Sequence, residues 1–157
     1  MKKLILTFFF TAICIMAYSQ EIDSIIENYK NYPGAIYHKI DEQTMGLLKS
    51  AAASNQATSS TAEFLNNVTG MSVLNIKEAK EGLYDEIRTK GDAMLSDSVK
   101  KFDQEEDGKK FYIIYEQKND KITNALVVIN EKNIMSLLQM KGSFTNSDFD
   151  KFINLGK

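Results

Sequence analysis

The sequence predicts an α+β domain: a mainly antiparallel sheet with a C-terminal four-strand meander, and helices packed on one face. Three observations lead there. Apolar residues at helical spacing alternate with short strand-like runs through the first two-thirds of the chain. The last third holds "KKFYIIYEQ", "KITNALVVIN" and "NIMSLLQMKG", parted only by the polar turns "KND" and "NEK". The chain then closes on "GSFTNSDFDKFINLGK", which carries the marks of a helix start.

The elements follow in order. Ile22, Ile25, Ile26 and Tyr29 make one helical face, which Asn31, Pro33 and Gly34 bring to an end. "AIYHKI" (35–40) is rich in β-branched and aromatic residues and reads as a strand. Asp41 is placed to cap a helix in which Met45, Leu48 and Ala52 share a face. "SAAASNQATSSTAE" (50–63) has little to bury and reads as a helix end running into a flexible small-residue loop. A second strand is expected around Met71 to Ile76, then a helix carrying Leu83, Ile87, Met94 and Leu95, weakened at Gly91.

"SVKKFDQ" opens the meander, and Asp107-Gly108 forms its first turn. Leu126 to Ile129 is apolar on both faces, which predicts a central, covered strand. Thr145 and Asp148 have capping-box spacing, and Phe144 and Phe149 sit where a hydrophobic staple belongs. Phe149, Phe152 and Ile153 make the buried stripe of that last helix, and Gly156 suits its terminal turn.

The first residues point to export. Lys2 and Lys3 precede the 14-residue apolar run Leu4 to Ala17, and Ala17 and Ser19 are the small residues of a cleavage site. That run is short of the roughly 20 residues a membrane-crossing helix needs. Residues 1–19 are therefore expected to be a cleaved signal peptide, with 20–157 a single domain in the periplasm or outside the cell. Cys14 follows Ile13, not the small residue of a lipoprotein signal, and it leaves with the peptide. The mature chain then has no cysteine, so disulfides, thiolate nucleophiles and cysteine-based metal sites fall away. Loss of Lys2 and Lys3 moves the net charge from −2 to −4, and no basic block remains to suit nucleic acid.

His38 is the single histidine of the chain. Its strand neighbours on the same face are Ile36 and Ile40, which favours a packed residue near the helix-covered face. A catalytic histidine needs an orienting carboxylate, and the nearby Asp41 is committed to capping. "DQEEDG" (103–108) resembles the first half of a calcium loop, with Asp103, Glu105, Asp107 and Gly108 at positions one, three, five and six. Position twelve is Ile114 where a bidentate glutamate is required, so a hairpin is the better account. Asp85 and Glu86 point apart on a helix, and Glu86 with Lys90 has the spacing of a surface ion pair. Tyr29, Tyr32, Tyr37, Tyr112 and Tyr115 are expected to cover the core edge, with an interface as the other use of such rings.

"YKNYPGAIYHKID", "MSVLNIKEA", "DGKKFYIIYEQKNDKITNALVVIN" and "IMSLLQMKGSFTNSDFDKFINL", in that order, resemble the domain of unknown function 4252 family. These are small exported proteins of Gram-negative envelopes, and the resemblance covers about residues 21 to 155. The strand, Gly142 and the acid-capped helix look like the family's closing signature. The resemblance implies no assigned activity and no catalytic residues. It also implies an apolar residue where this chain has His38.

The reading that results is a non-enzymatic envelope module that binds another protein, through an exposed first or last strand of the meander. It names no catalytic, cofactor or metal residues and does not place the chain in the membrane. The alternative is a small-ligand or lipid carrier with an apolar pocket lined by Leu126, Val128, Leu138 and Met140. A hydrolase or lyase pairing His38 with a carboxylate is a third reading.

Overall fold

The computed structural model describes residues 22–54 and 64–154. The expected signal peptide, residues 55–63 of the small-residue segment, Gly156 and the side chains of Phe152 and Ile153 lie outside the described residues.

The elements are α1 (22–29), β1 (Ala35–Ile40), α2 (Glu42–Ser54), β2 (Val68–Lys77), α3 (Leu83–Asp92), β3 (Val99–Glu106), β4 (Lys109–Lys118), β5 (Lys121–Glu131), β6 (Ile134–Phe144) and α4 (Asn146–Asn154). A helical turn at 64–66 precedes β2. The strands form one six-stranded sheet in the order β1-β2-β6-β5-β4-β3, and every pairing is antiparallel. The fold is α+β, and β3 to β6 form the expected four-strand meander.

Local chemistry accounts for the turns. Asp107 and Gly108 join β3 to β4 with φ of 51° and 77°, the positive angles that a two-residue hairpin turn needs. Asn119 and Asp120 (φ 49° and 60°) join β4 to β5 in the same way. Before β1, Gly34 has φ 77°, and a β-carbon there would stand 2.7 Å from the Lys77 carbonyl oxygen. Glycine alone fits, and the strand starts there.

Helix caps follow the sequence closely. Asp41 accepts the Thr44 N–H at 2.7 Å, and that bond holds the Asp41 carboxyl below its usual range. At α4, Asp148 N–H donates to Thr145 Oγ1 at 3.1 Å, while Thr145 N–H donates to Asp148 Oδ2 at 3.1 Å. The capping box is complete with aspartate in the glutamate's place. Phe144 and Phe149 are buried in one cluster, as a staple requires. α3 stops at Asp92, short of Met94 and Leu95, and Gly91 lies within its last turn.

Two cores lie on the two sides of the sheet. One gathers Ile22, Ile25, Ile26 and Tyr29 of α1 and Leu83, Tyr84 and Ile87 of α3 over Tyr112, Ile114, Leu126 and Val128. The other sets Met45 of α2 and Phe149 of α4 over Ile113, Ala125, Val127 and Met140. Neighbours along β4 and β5 alternate between the two cores, so these are opposite faces. Helices therefore cover both faces and not the one face expected. The physical reason is β5: it lies inside the sheet and buries apolar side chains on both sides, and each side needs a cover.

Candidate functional site

β1 forms one edge of the sheet. It pairs with β2, from Ala35 opposite Ile76 to Ile40 opposite Met71, and no described strand pairs with its other side. Lys77 N–H donates to the Gly34 carbonyl at 3.2 Å. Antiparallel alternation from that bond turns the main-chain N–H and C=O of Tyr37 and Lys39 toward the open edge.

The two faces of β1 differ in chemistry. On the α1 side, Tyr37 and Lys39 line a cavity of about 200 Å³ together with Asp23, Ser72, Gln139 and Lys141. Its floor is polar, although it lies within the sheet: Ser72 and Gln139 are buried there, and Asn124 is buried beside Gln139. Asn124 Nδ2 donates to Asp23 Oδ1 at 3.1 Å; Gln139 Nε2 donates to Asn124 Oδ1 at 3.1 Å and, by a shorter bond, to the same Asp23 oxygen. Lys141 Nζ pairs with Asp23 Oδ2. Ser72 Oγ donates to Gln139 Oε1 at 3.4 Å. Every buried side-chain polar atom among the described residues has a partner. Such a network is fixed in place and offers its outer atoms in set positions. Lys39, at the rim, is exposed and has no ion pair among the described residues.

On the opposite side, the cover of α2 and α4 runs out toward one end of the sheet. There Ile36, Asn75, Ser136, Ile129 and Phe111 stand side by side across five strands. Ser136 Oγ donates to Asn75 Oδ1 at 2.8 Å, closing the polar gap in the row. Ile36 is 42% exposed, and the other four are half-buried. The next row runs His38, Val73, Leu138, Val127, Ile113 and Phe102.

His38 is thus an exposed edge-strand residue on this second face, opposite Val73, and on the other side of the sheet from the polar cavity. It was expected to be packed on or near the helix-covered face; it lies on the face that α2 and α4 partly cover, but exposed, because those helices stand over the other half of it. No hydrogen bond or ion pair of its ring occurs among the described residues. The other expected groups are dispersed. Asp103 and Glu105 lie along β3, where Asp103 is 3.4 Å from Lys101 and 3.9 Å from Arg88. Glu86 and Lys90 form the expected ion pair at 3.0 Å, joined by Tyr29, which donates to Glu86 at 2.6 Å. Tyr112 is fully buried, Tyr29 nearly so, and Tyr115 packs on Phe149 at 5.6 Å between ring centres. Leu126 and Val128 belong to the first core and Leu138 and Met140 to the second, so these four do not line a common cavity.

The polar network was missed from sequence. Its signal was present: Asn124 and Gln139 interrupt the apolar runs of "KITNALVV" and "LLQMKG" at positions that face inward. Burying an amide within a sheet requires partners, and Asp23 supplies them from more than 100 residues away.

No helix among the described residues is long and apolar enough to cross a membrane. Comparison with curated proteins and with solved structures gave no match. The family described as "Domain of unknown function (DUF4252)" matches residues 29–152, from the end of α1 into α4 and including the whole sheet. That is more than half of the sequence, and the chain belongs to the domain of unknown function 4252 family.

Proposed function

We propose that the chain is a non-enzymatic binding module of an exported envelope protein, which takes up an extended segment of another protein along β1. The observation that carries this reading is the open edge of β1 with a polar cavity on one side and an apolar strip on the other. An added strand gains affinity from main-chain bonds and specificity from alternate side chains. Here the main-chain partners are Tyr37 and Lys39. A guest side chain on the α1 side meets Tyr37 and Lys39 at the rim of the cavity, and the Lys39 ammonium suits a carboxylate or an amide. Its neighbours on the other side meet Ile36 and Val73, which suits apolar groups. The basic start and the apolar run of residues 2–17 support export of the module.

The meander was expected to offer the edge. Its last strand, β6, is inside the sheet, and its first, β3, is the opposite edge. β3 reads "VKKFDQEE", and such charge discourages pairing with general partners. β1 carries a single charged residue, Lys39.

The test is hydrogen exchange on the protein with peptides selected to bind it. The reading expects the selected peptides to alternate acidic or amide residues with apolar ones, and to slow exchange of the Tyr37 and Lys39 amides. Peptides that bind tightly while leaving both amides unprotected would sink it. A small solute that fills the polar cavity without protecting β1 would favour the carrier reading instead.

A further inference from the structure

We infer that a second copy of this chain pairs with β3, strand against strand about a two-fold axis at Phe102, joining two sheets into one of twelve strands. The inference concerns the opposite edge from β1 and stands apart from the reading above. β3 pairs with β4 and with no other described strand, and Lys100 to Asp103 are exposed. Phe102 sits at the centre of the strand and is 42% exposed.

The charge order names the occupant. β3 is basic in its first half (Lys100, Lys101) and acidic in its second (Asp103, Glu105, Glu106). An antiparallel copy of the same strand sets one half against the other. General partners lack that order, so the charges that deter them admit this one.

Geometry selects the register. A two-fold axis through a continuous sheet keeps each face on its own side, so each residue must oppose one of the same face. That leaves registers centred on a residue. Centring on Lys101 opposes two lysines, and centring on Asp103 opposes two aspartates. Centring on Gln104 sets Asp103 against Glu105. Centring on Phe102 opposes no like charges: Lys101 meets Asp103 of the second copy twice, and Lys100 lies diagonal to Glu106. Main-chain direction agrees. Gln117 N–H donates to the Ser98 carbonyl at 2.7 Å, which fixes the β3 alternation and leaves Lys101 and Asp103 bonding outward. Phe102 then falls at a non-hydrogen-bonded pair, where side chains approach most closely, and the two rings cover each other.

On each copy, Lys101 already touches Asp92 at 2.9 Å and Asp103 touches Arg88 at 3.9 Å. The pairing would extend that network across the axis. One strand pair is a small interface, so the dimer forms reversibly and weakens in salt.

Sedimentation of the purified protein from about 5 µM to about 1 mM tests it, a range suited to small interfaces. The expected result is a monomer that becomes a dimer as concentration rises. K101D and D103K should each stay monomeric, and an equimolar mixture of the two should dimerise, since every opposed pair is again of opposite sign. Circular dichroism checks that both variants keep the sheet, and F102E, which leaves the Lys101 and Asp103 pairs in place, should also be monomeric. A wild type that stays monomeric throughout overturns the inference. So does a wild-type dimer that survives K101D and D103K, or a mixture that remains monomeric while the wild type dimerises.

Discussion

A β-carbon at Gly91 would stand 2.3 Å from the hydroxyl oxygen of Tyr112. Tyr112 is wholly buried, and its hydroxyl reaches Asp92 Oδ1 at 3.3 Å beside the end of α3. Burial and the nearby Asp92 carboxylate push that phenol above its ordinary range. The glycine that costs α3 helical propensity is therefore what lets the helix lie on the sheet. Overpacking a filled site costs about 1–3 kcal/mol, and G91A is expected to lose that much in urea unfolding. Adding Y112F should return only part of it, since ring carbons would still lie 2.7 and 2.8 Å from the new methyl.

A second prediction concerns pH. Tyr29 and then Lys90 donate hydrogen bonds to Glu86, and these hold its carboxyl below the ordinary 4.5. The fold thus prefers the charged form. Stability from this source is whole above 4.5 and drains away as pH falls through the lowered folded value. Wild-type urea midpoints should fall more steeply than those of E86Q below 4.5. Raising the salt should shrink the difference, since Glu86 is largely exposed. Parallel curves would remove Glu86 from the account.

The α4 cap can be tested by itself. Thr145 Oγ1 both accepts from the Asp148 N–H and donates to Asp148 Oδ2 at 2.7 Å. T145A should cost about 1 kcal/mol in unfolding free energy, the usual loss for an N-cap, whereas T145S should stay near wild type.

The polar floor beneath the β1 cavity supplies a fourth. Gln139 bonds Asp23, Asn124 and Ser72 at once. Replacing it with leucine leaves Asn124 Oδ1 buried without its donor, at about 1–3 kcal/mol. Q139L should lower the thermal midpoint, and H38A, on an exposed edge position, should leave it within the small range of surface substitutions. A larger fall for H38A would mean that the ring holds something in place.

How far these features could be read from sequence follows distance along the chain. Asp107-Gly108, the Thr145 to Asp148 box, the Asp41 cap and the meander are local, and their residue types state the geometry directly. The apolar run Leu126 to Ile129 also announced a strand covered on both sides, though the placing of helices on one face did not follow it through. Gly91 was legible as a weak helix former but not as the seat of Tyr112, since that contact joins α3 to β4. The Asp23 network was least legible, because it needs α1, β5 and β6 assembled before any partner is near. The order of the edges depended on β2 entering between β1 and β6, which no local pattern encodes.

That insertion matters for a chain made N-terminus first. β2 has β1 on one side, but its other neighbour is β6, which ends at Phe144. Until β6 has emerged, as far as Phe144, Leu74 and Ile76 belong to a strand with a bare inner edge, and α1 has little of its core to lie on. The meander, joined by two-residue turns, can zip from β3 onward as it appears. The first half of the chain must wait for it, so a carrier that keeps residues 22–77 from premature pairing would serve this protein more than one acting on its later strands. A chain cut after Glu131 would never receive the strand that β2 is waiting for.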